Sequence, residues 1–193
     1  MAAQTISNQN SFLGPVCVIG GVLFTLSLFI QPLLEGTGMY PLLWLLFALA
    51  NLCLMSGPIG WRLLQATESG QWGKLGTTGA AITLLGQLSY MLGMLYIIVF
   101  PEYEFQQPFT PLGALGSAIG MILVGVATLR AGVMHGWRSW LPLVIGLYFF
   151  IQLPVQAVFR FSQGLPPLYP VLGIWGVGWI MLGYVIGSSP SDK

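Results

Sequence analysis

The sequence predicts an all-α membrane protein, a bundle of six transmembrane helices, and three observations predict it. First, 55% of the 193 residues are hydrophobic and only 6% are charged, with a mean hydropathy of +0.82. So few charges cannot cover a soluble surface. Second, the charges leave long intervals free of Asp, Glu, Lys and Arg: 1–34, 36–61, 75–101, 105–129, 139–159 and 161–191. Each holds the roughly 20 apolar residues that cross a bilayer. Third, these intervals are continuously apolar instead of alternating apolar with polar, which selects helices over a membrane barrel.

The remaining charge statistics set orientation and exclude one class of partner. With the N-terminus in the cytoplasm, Arg62, Lys74, Arg130, Arg138 and Lys193 lie inside and only Arg160 lies outside, as the positive-inside rule requires. Both termini are then cytoplasmic, and Glu35, Glu102 and Glu104 share the outer side with Arg160. A net charge of +1 argues against nucleic acid as a partner. No basic side chain precedes the first span and no small-residue cleavage pattern closes it, so the first span reads as a retained helix.

In chain order, residues 1–12 are polar and read as an N-terminal tail. One transmembrane domain is expected over 13–188, followed by a short polar tail at 189–193. The first helix, 13–34, carries Ser27 and Gln31 on the face leading to Glu35, and Pro32 should loosen its last turn. The second, 40–63, has Trp44 near one interface and Trp61 with Arg62 at the other. Asn51 is its central polar residue, and Ser56-Gly-Pro58 predicts a bend. The third, 75–100, places Thr83, Gln87 and Tyr90 on one face and ends in the acidic segment Pro101-Glu-Tyr-Glu104.

The fourth helix, 109–130, is smooth, with Gly113, Gly116, Ser117, Gly120 and Gly125 and a GxxxG pair at Gly116 and Gly120. The sixth, 168–188, repeats the theme with Gly173, Gly176, Gly178 and the GxxxG pair Gly183 and Gly187. Small residues let helix backbones approach closely in lipid, so these two helices are expected to dock on helices of this chain or of other membrane subunits. Phe29-Ile-Gln-Pro32 with Tyr40-Pro41 resembles Phe150-Ile-Gln-Leu-Pro154 with Tyr169-Pro170. That likeness predicts three pseudo-repeated hairpins.

The segment Val124-Gly-Val-Ala-Thr-Leu-Arg-Ala-Gly-Val-Met-His-Gly-Trp-Arg138, continuing through Trp140-Leu-Pro-Leu, resembles a broad group of uncharacterised small six-helix bacterial membrane proteins. Their fourth helix commonly ends in a Leu-Arg-Ala type turn before a Trp and another apolar span. The resemblance implies a multi-pass protein of the bacterial inner membrane and adds no activity.

The fifth helix holds the most informative stretch. Tyr148, Gln152, Gln156 and Arg160 fall at i, i+4, i+8 and i+12, a polar stripe on one helical face. Polar side chains are costly in hydrocarbon, so the stripe should face protein or water. With Gln31 and Glu35 on the first helix and Gln87 and Tyr90 on the third, it predicts an outward-facing ligand pocket made of Gln31, Glu35, Gln87, Tyr90, Tyr148, Gln152, Gln156 and Arg160. The plainer reading of each residue is an interhelical hydrogen bond worth about 0.6 kcal/mol. Arg160 faces three outer carboxylates and should pair with one of them, snorkel, or hold an anionic group.

Signals for enzyme chemistry are missing. No HExxH or P-loop pattern occurs in the sequence. Gly116-Ser117 lacks a helical histidine partner, and Lys74 and Lys193 both flank the membrane, out of reach of a retinal. Cys17 and Cys53 read as buried apolar thiols. His135, the only histidine, sits in a basic interfacial loop suited to solvation. A lone imidazole also suits a pentacoordinate haem or a chlorophyll magnesium, so the cofactor stays undetermined and no metal site is assigned. The expectation is a non-catalytic accessory or ligand-binding protein with an outer polar pocket for a lipid-like or aromatic molecule. A small transporter is the alternative, and a lipid-modifying enzyme using Glu35 or Glu102 with Arg160 is third.

Overall fold

The computed structural model describes residues 2–34, 36–64, 70–103, 108–132, 134–165 and 167–188. Among them there is no strand, and six stretches are helical, long and apolar enough to cross a membrane. The helices are α1 (Ala2–Leu34), α2 (Tyr40–Leu54), α3 (Ser56–Leu64), α4 (Gln71–Val99), α5 (Phe109–Ala131), α6 (Trp137–Phe159) and α7 (Tyr169–Ser188). The second span is α2 and α3 together. Backbone helix reaches back to Ala2, into the segment whose polarity reads as a tail; once a span has nucleated a helix, each added residue gains a hydrogen bond at little further cost, so the helix can run past its apolar part.

Local chemistry explains the interruptions. The second span breaks at Met55, where the Ser56-Gly-Pro58 signal predicts a bend. Pro58 has no N–H for the carbonyl one turn earlier, and polar side chains cover nearby carbonyls: Asn51 Nδ2 donates to Phe47 O at 2.8 Å and Ser56 Oγ to Cys53 O at 2.7 Å. Pro32 lies in the last turn of α1, which ends two residues later. α5 stops at Gly132, whose φ of 67° is left-handed and whose N–H bonds Thr128 O at 3.2 Å, a common helix C-cap. Pro142 and Pro154 both lie inside α6, and each removes a rung from its hydrogen-bond ladder.

The spans pack in sequence order and close back on themselves, α7 lying against α1. Two pairs are far more intimate than the rest, α4 with α5 and α1 with α7. Both are antiparallel and use one device. Gly14 and Gly21 on α1 face Gly176 and Gly183 on α7, while Gly79 and Gly86 on α4 face Gly113 and Gly120 on α5. In each helix the two glycines are seven residues apart, two turns along one face.

Each glycine rests against a carbonyl oxygen of the partner helix, most of them also against the amide nitrogen four residues on. A Cβ added at Gly14 would sit 2.7 Å from Gly183 O and 2.5 Å from Gly187 N; one at Gly79 would sit 2.8 Å from both Gly120 O and Val124 N. The glycine faces of the fourth and sixth spans are therefore filled by helices of this chain. The GxxxG partners matter less: a Cβ at Gly187 would meet only ordinary contacts, and one at Gly116 would come no nearer than 3.3 Å to Gly86.

The second span and α6 bridge the two close pairs. Between the pairs runs an aromatic line, Trp44, Phe47, Phe24, Trp175 and Trp179, with successive ring centroids 5.7, 5.5, 5.3 and 5.8 Å apart. Trp61, Leu54, Leu182 and Ile186 complete the core toward the end carrying Arg62 and Arg130, called below the basic end. Leu26, Leu33, Leu85, Leu112 and Ile151 are exposed on the outside of the bundle, as a lipid-facing surface requires. The three sequential hairpins pack to different degrees: α4/α5 is tight, whereas α6 and α7 touch sparingly.

Candidate functional site

The loose neighbour, α6 against α7, leaves space on both of its sides. Inside the bundle lies a cavity of about 130 Å³ lined by Phe24 and Leu28 of α1, Tyr90 of α4, Ala114 of α5, Phe149, Gln152, Leu153 and Gln156 of α6, and Pro167, Leu172 and Trp175. Gln152 is seven residues before the end of α6 and Trp175 six after the start of α7, so both lie about 10 Å inside the end opposite the basic one. A cavity on the order of 150 Å³ accepts a benzene-sized molecule, so this one suits a single ring.

Its wall is mostly apolar with polar groups of contrasting status. Gln156 is 2% exposed, and its amide is fully engaged: Nε2 donates to Leu168 O at 3.1 Å and Oε1 accepts from Leu168 N at 2.8 Å. This pair ties the chain entering α7 to the end of α6. Tyr148 makes a second tie, its O–H donating to Val171 O at 2.7 Å. Gln152 is different. It is 5% exposed and its Oε1 is buried with no hydrogen-bond partner. Trp175 is 4% exposed, and its Nε1 is likewise buried and unpartnered.

More buried polar atoms without partners lie in the same half of the bundle, and two, Asn51 Oδ1 and Trp179 Nε1, lie at its middle. Ser27 Oγ, Trp44 Nε1, Ser117 Oγ and both amide atoms of Gln87 are among them. At the basic end the polar side chains instead find one another: Trp61 Nε1 donates to Thr128 Oγ1 at 3.0 Å, and Arg62 Nε to Thr77 Oγ1 at 2.8 Å. Thr83 is satisfied within its helix, donating to Gly79 O at 2.9 Å. A buried polar atom left unpaired costs about 1–3 kcal/mol, and native proteins retain few of them without a functional cause.

On the outer side of the same seam lies a groove of about 410 Å³, lined by Trp137, Trp140, Leu141, Val144, Ile145 and Tyr148 of α6 and by Ile174, Trp175, Val177, Gly178 and Met181 of α7. It starts near the basic end and stops at Tyr148 and Trp175. Trp175 thus belongs to both the cavity and the groove.

Of the eight residues the sequence marks for a pocket, the cavity brings together Tyr90, Gln152 and Gln156. Tyr148 lines the groove instead. Gln87 is fully buried but outside the cavity lining. Gln31 is half-buried in the last turn of α1, and Arg160 caps α6, its N–H bonded to Gln156 O at 3.0 Å. Glu35 and Glu104, two of the carboxylates expected near Arg160, lie outside the described residues; Glu102 is exposed in a short 3-10 turn. The tail at 189–193 also lies outside them.

Phe24, Ala114, Phe149, Leu172 and Trp175 are among the lining residues that the sequence did not mark. Apolar side chains facing a cavity and those facing lipid are alike in composition, so only Trp175, a polar-tipped aromatic one turn before Trp179 on a glycine-rich helix, carried a usable signal. Comparison of the chain with protein-family models, curated proteins and solved structures gave no match in any of the three.

Proposed function

We propose that this chain is a non-catalytic membrane protein that binds a small lipid-like or aromatic molecule in the cavity between α1, α4, α5, α6 and α7. The observation that carries the reading is Gln152, a 5% exposed residue of the cavity wall whose side-chain carbonyl has no partner. A ligand donor placed there restores the lost hydrogen bond. Gln, Tyr and Trp among the described lining residues, with no carboxylate, thiol or imidazole beside them, support binding over turnover. The distribution of Arg62, Lys74, Arg130 and Arg138 puts the basic end in the cytoplasm by the positive-inside rule. The cavity then lies in the outer half of the membrane.

Paired polar side chains at the basic end favour binding over transport, because a transport path needs free polar groups on both sides of the membrane. The test is native mass spectrometry on protein extracted gently from its own membrane, joined to an absorption spectrum. Wild type should carry one stoichiometric small molecule, and Ala114→Leu, which fills the cavity from α5, should lose it. A molecule retained equally by wild type and Ala114→Leu would place binding elsewhere and overturn the assignment.

A further inference from the structure

Two residues that line the cavity, Gln152 and Trp175, each carry a buried polar atom without a partner, and the two atoms have opposite needs. Gln152 Oε1 is an acceptor and lacks a donor; Trp175 Nε1–H is a donor and lacks an acceptor. One hydroxyl group answers both, donating to the glutamine and accepting from the indole. Trp175 also forms the boundary between the ring-sized cavity and the apolar groove that opens along the α6/α7 seam. From Tyr148 to Trp137 the groove follows twelve residues of α6, about 16 Å of helix. Its lining is tryptophan, tyrosine, glycine and aliphatic side chain, and its Tyr148 is held by the hydrogen bond to Val171 O.

From this juxtaposition we infer that the ligand is a hydroxyl-bearing ring with a long aliphatic tail, a phenol-type amphiphile, which enters sideways from the bilayer through the α6/α7 seam. The ring and its hydroxyl occupy the cavity at Gln152, and the tail lies in the groove. This rests on the binding function proposed above and adds the ligand's chemistry and its route. Entry through this seam fits its loose packing, the sparsest among neighbouring spans in the bundle, and the tail fits because one residue, Trp175, lines both the groove and the cavity.

The test measures binding of para-dodecylphenol, its methyl ether, dodecylbenzene and para-cresol to the full chain in phosphatidylcholine nanodiscs. Para-dodecylphenol should bind about tenfold more tightly than its methyl ether, which cannot donate to Gln152, and dodecylbenzene should be weakest. Gln152→Leu should erase the preference for the phenol over the ether. Trp175→Phe should weaken both about equally, since both offer an oxygen to the indole. Val177→Trp, at an exposed groove position, should weaken para-dodecylphenol about tenfold and leave para-cresol unchanged; Val144→Trp is the same test from α6. Phenol binding that depends on Gln152 but ignores Val177→Trp and Val144→Trp would overturn the groove while the cavity stands. Equal binding of dodecylbenzene and para-dodecylphenol would overturn the hydroxyl assignment, and the native mass spectrum of the extracted protein would still judge the cavity by itself.

Discussion

The glutamines of α6 show how one residue type at one spacing serves two ends. Gln152 and Gln156 are a single turn apart on the same face, yet Gln156 is satisfied by both backbone groups of Leu168 while the carbonyl of Gln152 has no partner. Their substitutions should therefore diverge. Gln156→Leu leaves the N–H and C=O of half-buried Leu168 without their partner, and should lower stability by about 0.5–1.5 kcal/mol for each hydrogen bond lost, read as reduced thermal stability in detergent. Gln152→Leu strands nothing, because its Oε1 has no partner to lose; stability should be unchanged or slightly raised while ligand retention falls. A Gln152→Leu protein as destabilised as Gln156→Leu would show that Gln152 is a structural tie. Tyr148→Phe removes one interhelical hydrogen bond and should cost only about 0.6 kcal/mol.

Among the elements, the two close helix pairs hold the bundle together, and their shared glycine register gives a sharp expectation. Gly21→Ala and Gly86→Ala each push a methyl into the opposing backbone, where the new Cβ would meet Gly176 O at 2.9 Å and Gly113 O at 2.7 Å. Each should cost about 1–3 kcal/mol, the range for overpacking a well-filled interface. Gly38→Ala, with nothing within 4 Å, should be neutral, and all three can be ranked by thermal unfolding in one detergent. Glycine richness in the fourth and sixth spans was legible in the sequence, but its partners were not. The GxxxG spacing draws the eye to Gly116 and Gly187, whereas the pairing uses glycines seven apart, and recognising Gly14 and Gly21 as their counterparts requires knowing that α1 neighbours α7.

For the whole molecule, the six spans, the break at Met55 and the polar face of α6 could all be read from the chain, because charge-free length, Pro58 and a four-residue polar period are local signals. The ring order and the cavity could not, since they depend on which apolar faces meet and every such face has the same composition. Orientation is a whole-molecule expectation that labelling checks. With Cys17 and Cys53 replaced by Ala, a membrane-impermeant maleimide applied to intact cells should label Ser162→Cys, exposed beyond α6. It should reach Gln71→Cys, exposed at the basic end, only after permeabilisation. The reverse pattern would turn the cavity toward the cytoplasm.

The central claim, that the unpartnered Gln152 carbonyl marks a ligand site, meets its most direct test in native mass spectrometry of wild type and Gln152→Leu extracted side by side from the same membrane. The account predicts one small molecule bound per wild-type chain and a loss of about tenfold in its occupancy at subsaturating levels in the variant, the scale of one hydrogen bond in the upper part of its usual range. A wild-type chain that emerges bare, or a molecule held equally by both proteins, would contradict it.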